Sequence, residues 1–162
     1  LTLARMDEGS DRRILSDCSL SQLLADGTEC FRAVLELRGI TLWTGIQPMV
    51  SLRADKEHIT QLISVLMDNA VKYTNDNGNI FISLEENNKR IKLQFKNTCQ
   101  QLPPVPPDKL FDRFYRADEA RTQKNGGYGI GLSVAQSITE TYKGRILAEY
   151  ENGNTIVFTI RF

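Results

Sequence analysis

The sequence predicts an α+β fold: a two-layer sandwich in which a mixed, mostly antiparallel sheet carries its helices on one face. Two hairpin-like segments with alternating apolar residues each follow helix-like segments along the chain. This order of elements favours helices that share one face of a sheet. The length of 162 residues, with 41% hydrophobic and 25% charged residues, suits one globular domain with its own core.

The N-terminal part of the chain predicts the end of one helix, a linker and a second helix. Residues 1–8 have the pattern of final helical turns, and residues 9–17 are polar enough for a linker. Ser19 is the expected cap of the next helix, with Gln22 as its capping-box partner, and Gly39 is its expected end. Short apolar strands are expected at residues 40–43 and 49–52.

A long helix is predicted after Asp55, which is placed to cap it. Its apolar residues recur near the helical period and therefore define one buried face. A turn is predicted at residues 75–78, where Asn, Asp and Gly cluster. The buried face would consist of Ile59, Leu62, Ile63, Leu66, Ala70 and Tyr73.

Two hairpins, a short helix and one further amphipathic helix complete the predicted fold. Residues 80–84 and 91–95 alternate in polarity and form the first hairpin. A proline-rich loop then leads to a short helix near residues 110–114, and the further helix ends at Gly144. The last hairpin pairs residues 145–150 with 155–162 across Asn152-Gly153.

The further helix begins with an unusual segment, Gly126-Gly127-Tyr128-Gly129-Ile130-Gly131-Leu132. Glycine is a poor helix former, so its repetition at a helix start requires a reason. Without Cβ atoms the backbone can approach a ligand closely, and the positive end of a helix favours a phosphate. A flexible loop is the alternative. Neither the P-loop pattern nor the G-x-G-x-x-G dinucleotide pattern is present, because Leu132 stands where the third glycine should be.

Composition argues against several classes of function. Lys plus Arg equals Asp plus Glu, at 20 each, so the charge gives no support to binding of nucleic acid or a membrane surface. The three cysteines, at positions 18, 30 and 99, are widely spaced, which argues against disulfides and zinc and fits a reducing cytoplasm. Cys30 is expected to be a buried thiol on an apolar helix face. The sequence shows no signal peptide. Because the chain begins with Leu1 rather than Met, it is expected to be part of a longer protein.

Three polar side chains lie at the edge of the apolar face of the long helix. Asn69 is on its flank, and Lys72 and Tyr73 follow three and four residues later, so the three are neighbours. An amide oxygen, a cation and an aromatic ring could hold Mg²⁺, a phosphate and a base respectively. The alternative is structural: an Asn that bonds locally, a solvated Lys and a partly buried Tyr.

Three segments resemble the sequence boxes of the sensor histidine kinases, in the same order and with matching spacing. Residues 65–74, Val-Leu-Met-Asp-Asn-Ala-Val-Lys-Tyr-Thr, resemble the N-box of these kinases. Residues 110–118 resemble their F-box, and residues 127–132 resemble their second glycine box. Residues 1–9 resemble the end of the second helix of the dimerisation domain in these kinases, with the start of the linker. Residues 10–162 would then be the catalytic ATP-binding domain, of the superfamily shared by gyrase, Hsp90, histidine kinases and MutL.

The resemblance implies a Bergerat-type site for ATP and Mg²⁺, in which catalysis consists mostly of positioning and charge neutralisation. By the family pattern Asn69 would ligate Mg²⁺, Lys72 would contact phosphate and Tyr73 would border the adenine. Arg116 would approach the terminal phosphate, and residues 117–128 would form a mobile lid. The backbone around the phosphates would come from Gly127, Gly129, Ile130, Gly131 and Leu132.

Two positions depart from the family pattern. The first glycine box usually reads Asp-x-Gly-x-Gly, but residues 97–101 read Asn-Thr-Cys-Gln-Gln. Asn97 would replace the aspartate that accepts a hydrogen bond from the adenine amino group, and its amide oxygen can accept the same bond without the charge of a carboxylate. Val65 replaces a polar residue one turn before Asn69.

His58 does not match the phosphoacceptor histidine and is expected to be a solvated helix residue.

The predicted function is therefore that of the ATP-binding catalytic domain of a sensor histidine kinase. It would present the γ-phosphate of ATP to a histidine in a dimerisation domain that this chain lacks, for later transfer to an aspartate of a response regulator. The expected parent is a homodimeric membrane sensor with this domain in the cytoplasm. Two alternatives stay open: a degenerate domain that acts in protein interaction, which the changes at residues 65 and 97–101 favour, and an ATPase or anti-sigma protein kinase of the same superfamily, which residues 111–118 disfavour.

Overall fold

The structure is a computed structural model that describes residues 13–113 and 130–162. The described part of the chain alternates between strands and helices, as the sequence predicts. Its elements are β1 (Leu15–Ser19), α1 (Leu20–Glu29), α2 (Arg32–Leu37), β2 (Thr41–Ile46), β3 (Ser51–Asp55), α3 (Lys56–Tyr73), β4 (Asn79–Asn87), β5 (Arg90–Thr98), a 3₁₀ helix (Pro107–Phe111), α4 (Gly131–Thr141), β6 (Arg145–Glu151) and β7 (Thr155–Arg161).

A five-stranded sheet in the order β2-β4-β5-β7-β6 forms the scaffold. β2 and β4 run parallel, and the other neighbouring strands are antiparallel. Both predicted hairpins are present. Three residues separate β6 from β7, and two of them, Asn152 and Gly153, have φ values of 53° and 72°, the left-handed conformation that Asn and Gly adopt most readily. The expectation of a mixed, mostly antiparallel sheet is confirmed.

The core lies between one face of this sheet and the helices α1, α3 and α4. The strands contribute alternate residues, such as Ile80, Ile82 and Leu84 of β4, each at most 2% exposed. The opposite face carries Trp43 and Phe81, which are stacked on each other and partly exposed. Most of the buried strand residues lie on the face toward the helices, while Val157 and Thr159 of β7 are buried on the other one. The expectation of helices on one face of the sheet is confirmed. The predicted apolar face of α3 is buried at Ile59, Leu62, Ile63, Leu66 and Ala70, and Tyr73 is half-buried.

The expected linker at residues 9–17 is wrong in its last part. Residues 15–17 belong to β1, which pairs with β3 in a separate two-stranded sheet, with Leu15 opposite Asp55. The strand lacks apolar alternation because most of its side chains are exposed, so only the long-range pairing identifies it. The helix end expected at residues 1–8, and the domain boundary at residues 1–9, lie outside the described residues.

The single helix expected between Ser19 and Gly39 is two helices, α1 and α2. The first ends after Gly27 and Thr28, two weak helix formers, and the hydroxyl of Thr28 donates to a backbone carbonyl within its own turn. The change in direction leaves Cys30 exposed, so the expected buried thiol at this position is wrong.

Both predicted N-terminal caps are present. The side chain of Ser19 accepts a hydrogen bond from the backbone N–H of Gln22 at 3.2 Å, and that of Asp55 accepts from Glu57 at 2.9 Å. The capping box of α1 is not completed, because the side chain of Gln22 donates to Asp26 at 2.8 Å instead. Element bounds differ from the predicted ones most at β2, β3, β4, β5 and the 3₁₀ helix. The 3₁₀ helix begins at a proline, whose fixed φ suits a helix start.

Candidate nucleotide-binding site

An open pocket of about 1270 Å³ lies beside the C-terminal end of α3 and the end of β5. Lys72 and Tyr73 of α3 line it, together with residues 99–104 from the segment that follows β5. These elements are distant in sequence, so the tertiary structure brings them together. The pocket is also lined by Arg38, Thr74, Asn75, Asp76 and Ile156.

The last turns of α3 present three of the predicted site residues on one helix edge. Lys72 is exposed, and its Nζ lies 5.3 Å from the centre of the Tyr73 ring. Asn69, one turn earlier, is half-buried and is not part of the pocket lining. Its side chain makes no hydrogen bond to any residue that the structure describes, so its amide is not committed to the fold.

The start of α4 lies against the same edge of α3. A Cβ atom built on Gly131 would be 3.5 Å from Cγ1 of Val65, and Val65 precedes Asn69 by about one helical turn. Ile130 occupies the cap position and supplies no side-chain acceptor to the first turn of α4. The structure therefore places residues 130–132 beside the helix edge that carries Asn69.

Asn97 is a buried amide that is not itself part of the pocket lining. It belongs to the row of β5 side chains that faces the helices and is 2% exposed. Its Nδ2 donates to the backbone oxygen of Thr98 at 3.2 Å, which leaves Oδ1 as an acceptor. Its cross-strand neighbour Ile156 and the following Cys99 both line the pocket.

Cys99 stands at the position of the first glycine in the family's first glycine box, so it adds a side chain where the family pattern has none. It is 6% exposed, and its Sγ donates to the backbone oxygen of Asn154 at 3.4 Å. Burial raises the pKa of this thiol, because the apolar surroundings disfavour the thiolate. Cys99 therefore contributes a neutral side chain to the pocket wall.

His58 is not the solvated helix residue that the sequence predicts. It is half-buried, and its Nδ1 lies 2.7 Å from the hydroxyl of Tyr142, at the end of α4. The same hydroxyl accepts a hydrogen bond from the backbone N–H of Asp55 at 3.1 Å. Burial raises the pKa of Tyr142, in part opposed by the hydrogen bond from Asp55. This contact ties the first turn of α3 to the last turn of α4, away from the pocket.

Some predicted site residues cannot be placed. Arg116, Gly127, Gly129 and the expected lid at residues 117–128 lie outside the described residues. Across residues 13–113 and 130–162, no group of three or more His, Cys, Asp or Glu side chains is arranged to hold a metal ion. Within the same ranges no helix combines the length and apolar character needed to cross a bilayer.

Arg38 is a pocket residue that the sequence reasoning missed. It lies just before the glycine that ends α2, and its side chain reaches the end of α3. A cation next to a helix-ending glycine is common on exposed surfaces, so no local pattern distinguishes this arginine from a solvated one. Only the pairing of distant segments shows where its guanidinium lies.

Comparison with known proteins gives the family. Residues 54–162 match the profile of the family described as "Histidine kinase-, DNA gyrase B-, and HSP90-like ATPase". The chain belongs to this ATPase family. The matched region includes α3, β5 and α4, and it contains the pocket residues named above except Arg38, which precedes it.

Sensor kinases are among the similar proteins, which confirms the resemblance described from the sequence. The chain is 34% identical over 161 residues to the probable sensor protein PcoS of Escherichia coli, covering 99% of this chain and 34% of PcoS. It is 28% identical over 158 residues to the signal transduction histidine-protein kinase BaeS of E. coli strain K12, covering 98% of this chain and 34% of BaeS. The chain thus spans about a third of the length of these relatives.

Solved structures share the fold. The catalytic domain of histidine kinase ThkA superposes with a TM-score of 0.78 at 23% identity, covering 91% of this chain and 94% of that one. Full-length ShkA in complex with AMPPNP gives a TM-score of 0.81 at 20% identity, covering 98% of this chain and 33% of ShkA. The predicted α+β sandwich is therefore the architecture of histidine kinase catalytic domains.

Proposed function

We propose that this ATPase domain binds ATP with Mg²⁺ beside the end of α3 and serves as the catalytic part of a sensor histidine kinase. The observation that carries the proposal is the convergence of Lys72, Tyr73 and residues 99–104 on one pocket, with the start of α4 packed one turn from Asn69. A cation, an aromatic ring, an uncommitted amide and a helix N-terminus are the groups that a purine nucleotide requires.

Each group has a distinct task in this proposal. Lys72 neutralises phosphate charge, and the backbone N–H groups of residues 130–132 bind phosphate oxygens, with the closest approach at Gly131, which has no side chain. Tyr73 borders the base, and Oδ1 of Asn97 accepts its amino group. Phosphate contacts of Arg116, Gly127 and Gly129, which lie outside the described residues, stay predictions from the family pattern.

Mg²⁺ would be held by Asn69 and by the oxygens of the nucleotide. The donor set fits such a metal, because Mg²⁺ keeps few protein ligands and binds mainly phosphate oxygens and water at nucleotide sites. Asn69 is half-buried and its amide has no hydrogen bond to the described residues. When bound, the ion supplies charge neutralisation for phosphoryl transfer.

The parent protein would extend this chemistry to two partners. The domain would present the γ-phosphate to a histidine of a dimerisation domain, and that phosphate would pass to a response regulator. Sensor proteins among the relatives support this role. A similarly folded protein, histidine kinase ThkA, has been solved in complex with response regulator protein TrrA, at 22% identity to this chain. A homodimeric membrane sensor with this domain on its cytoplasmic side is the corresponding parent.

A binding measurement on the 162-residue chain tests the proposal. Addition of ADP or ATP with Mg²⁺ is expected to raise its melting temperature, because a ligand that binds only the folded state stabilises it. Phosphorylation by labelled ATP of the parent's phosphoacceptor domain, added separately, tests the transfer step. A melting temperature that saturating nucleotide leaves unchanged would contradict the proposal.

That negative result would instead favour a degenerate domain that acts in protein interaction. The observation behind this second candidate is the segment 97–101, which has neither of the two family glycines, and Val65, which offers no polar atom next to Asn69.

A further inference from the structure

The guanidinium of Arg38 closes the C-terminal end of α3. It donates to the backbone oxygens of Val71 and Thr74, the latter at 2.5 Å, and its Nε donates to Oδ1 of Asp76 at 2.8 Å. The Arg38 side chain is 28% exposed and lines the nucleotide pocket. Three acceptors from one helix end and its following turn thus converge on a single cation.

The backbone on both sides of this contact is fixed. The carbonyl oxygen of Arg38 accepts a hydrogen bond from the N–H of Asn77 at 3.0 Å, and the N–H of Thr41 donates to Gly78 at 3.0 Å. Gly39 has a φ of 65°, and a Cβ atom there would lie 2.3 Å from Oδ1 of Asn77. Glycine adopts this φ without strain, and the two backbone hydrogen bonds hold the segment that carries Arg38 next to the turn that follows α3.

The pocket lies at an unfavourable end of α3 for an anion. The helix has 18 residues, and its last carbonyl groups carry the negative end of the helix dipole. Asp76 adds a negative charge that is 73% exposed. A polyphosphate would be repelled by both, and Lys72 offers only one positive charge in the last turn. Arg38 places a second positive charge directly on the carbonyl groups.

We propose that Arg38 is a positioning residue for the nucleotide: it neutralises the carbonyl end of α3 and so allows the pocket to accept a polyphosphate. This inference rests on the proposed function, since it presupposes that the pocket binds a nucleotide. The proposal predicts an effect on binding that an arginine with a purely structural role would not produce. Loss of the positive charge must weaken binding more as the charge of the ligand increases.

The test compares Arg38→Gln with Arg38→Lys in the 162-residue chain. Glutamine keeps a hydrogen-bond donor without the charge, and lysine keeps the charge without the planar fork. ATP, ADP and adenosine compete against a fluorescent ATP analogue at a fixed, saturating concentration of Mg²⁺, where the net negative charge of the ligand still decreases in this order. Arg32→Gln is the matched control, because Arg32 forms an exposed ion pair with Glu29 and is not part of the pocket lining.

In Arg38→Gln the affinity for ATP is expected to fall about tenfold, which is the effect of one charge at a partly buried helix terminus. The affinity for ADP is expected to fall less, and the affinity for adenosine is expected to change by less than about twofold. Arg38→Lys is expected to keep the ratio of ATP to adenosine affinity even if its melting temperature falls. Arg32→Gln is expected to change every affinity by less than about twofold, because exposed charges are screened.

Equal losses for ATP and adenosine in Arg38→Gln would overturn the inference, as would the same loss of ATP affinity in Arg32→Gln. If Arg38→Gln does not fold, Arg38→Lys decides the matter: a preserved affinity ratio supports charge neutralisation, and a lower ratio overturns it. A wild-type chain that binds none of the ligands would contradict the proposed function, and this outcome is seen before any variant is measured.

Discussion

Gly131, the first residue of α4, packs against Val65 of α3, with Cγ1 of Val65 3.5 Å from the position of a Cβ atom on Gly131. This contact brings the N-terminus of one helix to the edge of another, one turn before Asn69 and about two turns before Lys72. The positive end of α4 and the cation of α3 can therefore act on the same anion. The proposed phosphate site depends on this juxtaposition.

Gly131→Ala is expected to preserve stability and weaken nucleotide binding. A methyl group at 3.5 Å from Val65 is an ordinary van der Waals contact, and alanine favours a helix by up to about 1 kcal/mol over glycine. The same methyl group would obstruct the backbone where the phosphates approach. Thermal unfolding and ADP titration measure the two effects separately. Gly45→Ala is the control, since nothing lies within 4 Å of its Cβ position. If Gly131→Ala binds ADP with wild-type affinity, close approach of the phosphates to the backbone at residue 131 is excluded.

Asn69→Ala is expected to abolish detectable binding of Mg-ADP, a loss of at least about hundredfold or roughly 2.7 kcal/mol, while the fold stays intact. The amide of Asn69 makes no hydrogen bond to the described residues, so its removal leaves no partner unsatisfied. Titration calorimetry with ADP and Mg²⁺ gives the affinity, and circular dichroism reports the fold. The exposed Ser64 on the same helix provides the control Ser64→Ala. Unchanged affinity in Asn69→Ala rules out its assigned role.

Asn97→Asp is expected to tighten ADP binding and to destabilise the free protein. A carboxylate accepts a hydrogen bond about twice as strongly as an amide, but it cannot donate to Thr98 as Asn97 does, and burial of its charge is costly. ADP and inosine diphosphate are compared, because the second presents an oxygen in place of the adenine amino group. The preference for ADP should increase in Asn97→Asp and stay constant in the exposed control Asn87→Asp. Weaker or unchanged ADP binding would place Asn97 away from the amino group.

Alkylation is expected to distinguish Cys30 from Cys99. Cys30 is exposed, whereas Cys99 is buried and burial raises the pKa of its thiol. Since the thiolate is the reactive form, iodoacetamide at about pH 8 should modify Cys30 first, and the rate at Cys99 should keep rising at higher pH. Peptide mapping by mass spectrometry follows both sites. Bound ADP should slow the reaction at Cys99 alone, because only that thiol lines the pocket; equal rates at the two sites would contradict the burial of Cys99.

Tyr142→Phe is expected to reduce the free energy of unfolding by about 1–3 kcal/mol, because it leaves the N–H of Asp55 without its acceptor. His58 loses its 2.7 Å contact at the same time. Urea unfolding of Tyr142→Phe, His58→Ala and the double variant measures the coupling between the two side chains. Losses that simply add would show that His58 and Tyr142 act independently.

The sequence predicted most of α3 and the two hairpins because their signals are local. The apolar period of α3 and the caps at Ser19 and Asp55 depend on neighbouring residues alone. β1 escaped prediction because its stability comes from pairing with β3 rather than from its own pattern. The break between α1 and α2 escaped because weak helix formers at Gly27 and Thr28 do not by themselves end a helix.

For the candidate site, the sequence alone determined which chemical groups exist and which of them are neighbours on one helix. That Asn69, Lys72 and Tyr73 lie together follows from the helical period and needs no distant segment. The tertiary structure decided which distant groups join them. Residues 99–104 and the start of α4 reach the same place only because the strands of one sheet and two packed helices bring them there. The roles of Arg38 and His58 were decided in the same way, because the environment of a charged or titratable side chain is set by the segments that fold against it rather than by its neighbours in sequence.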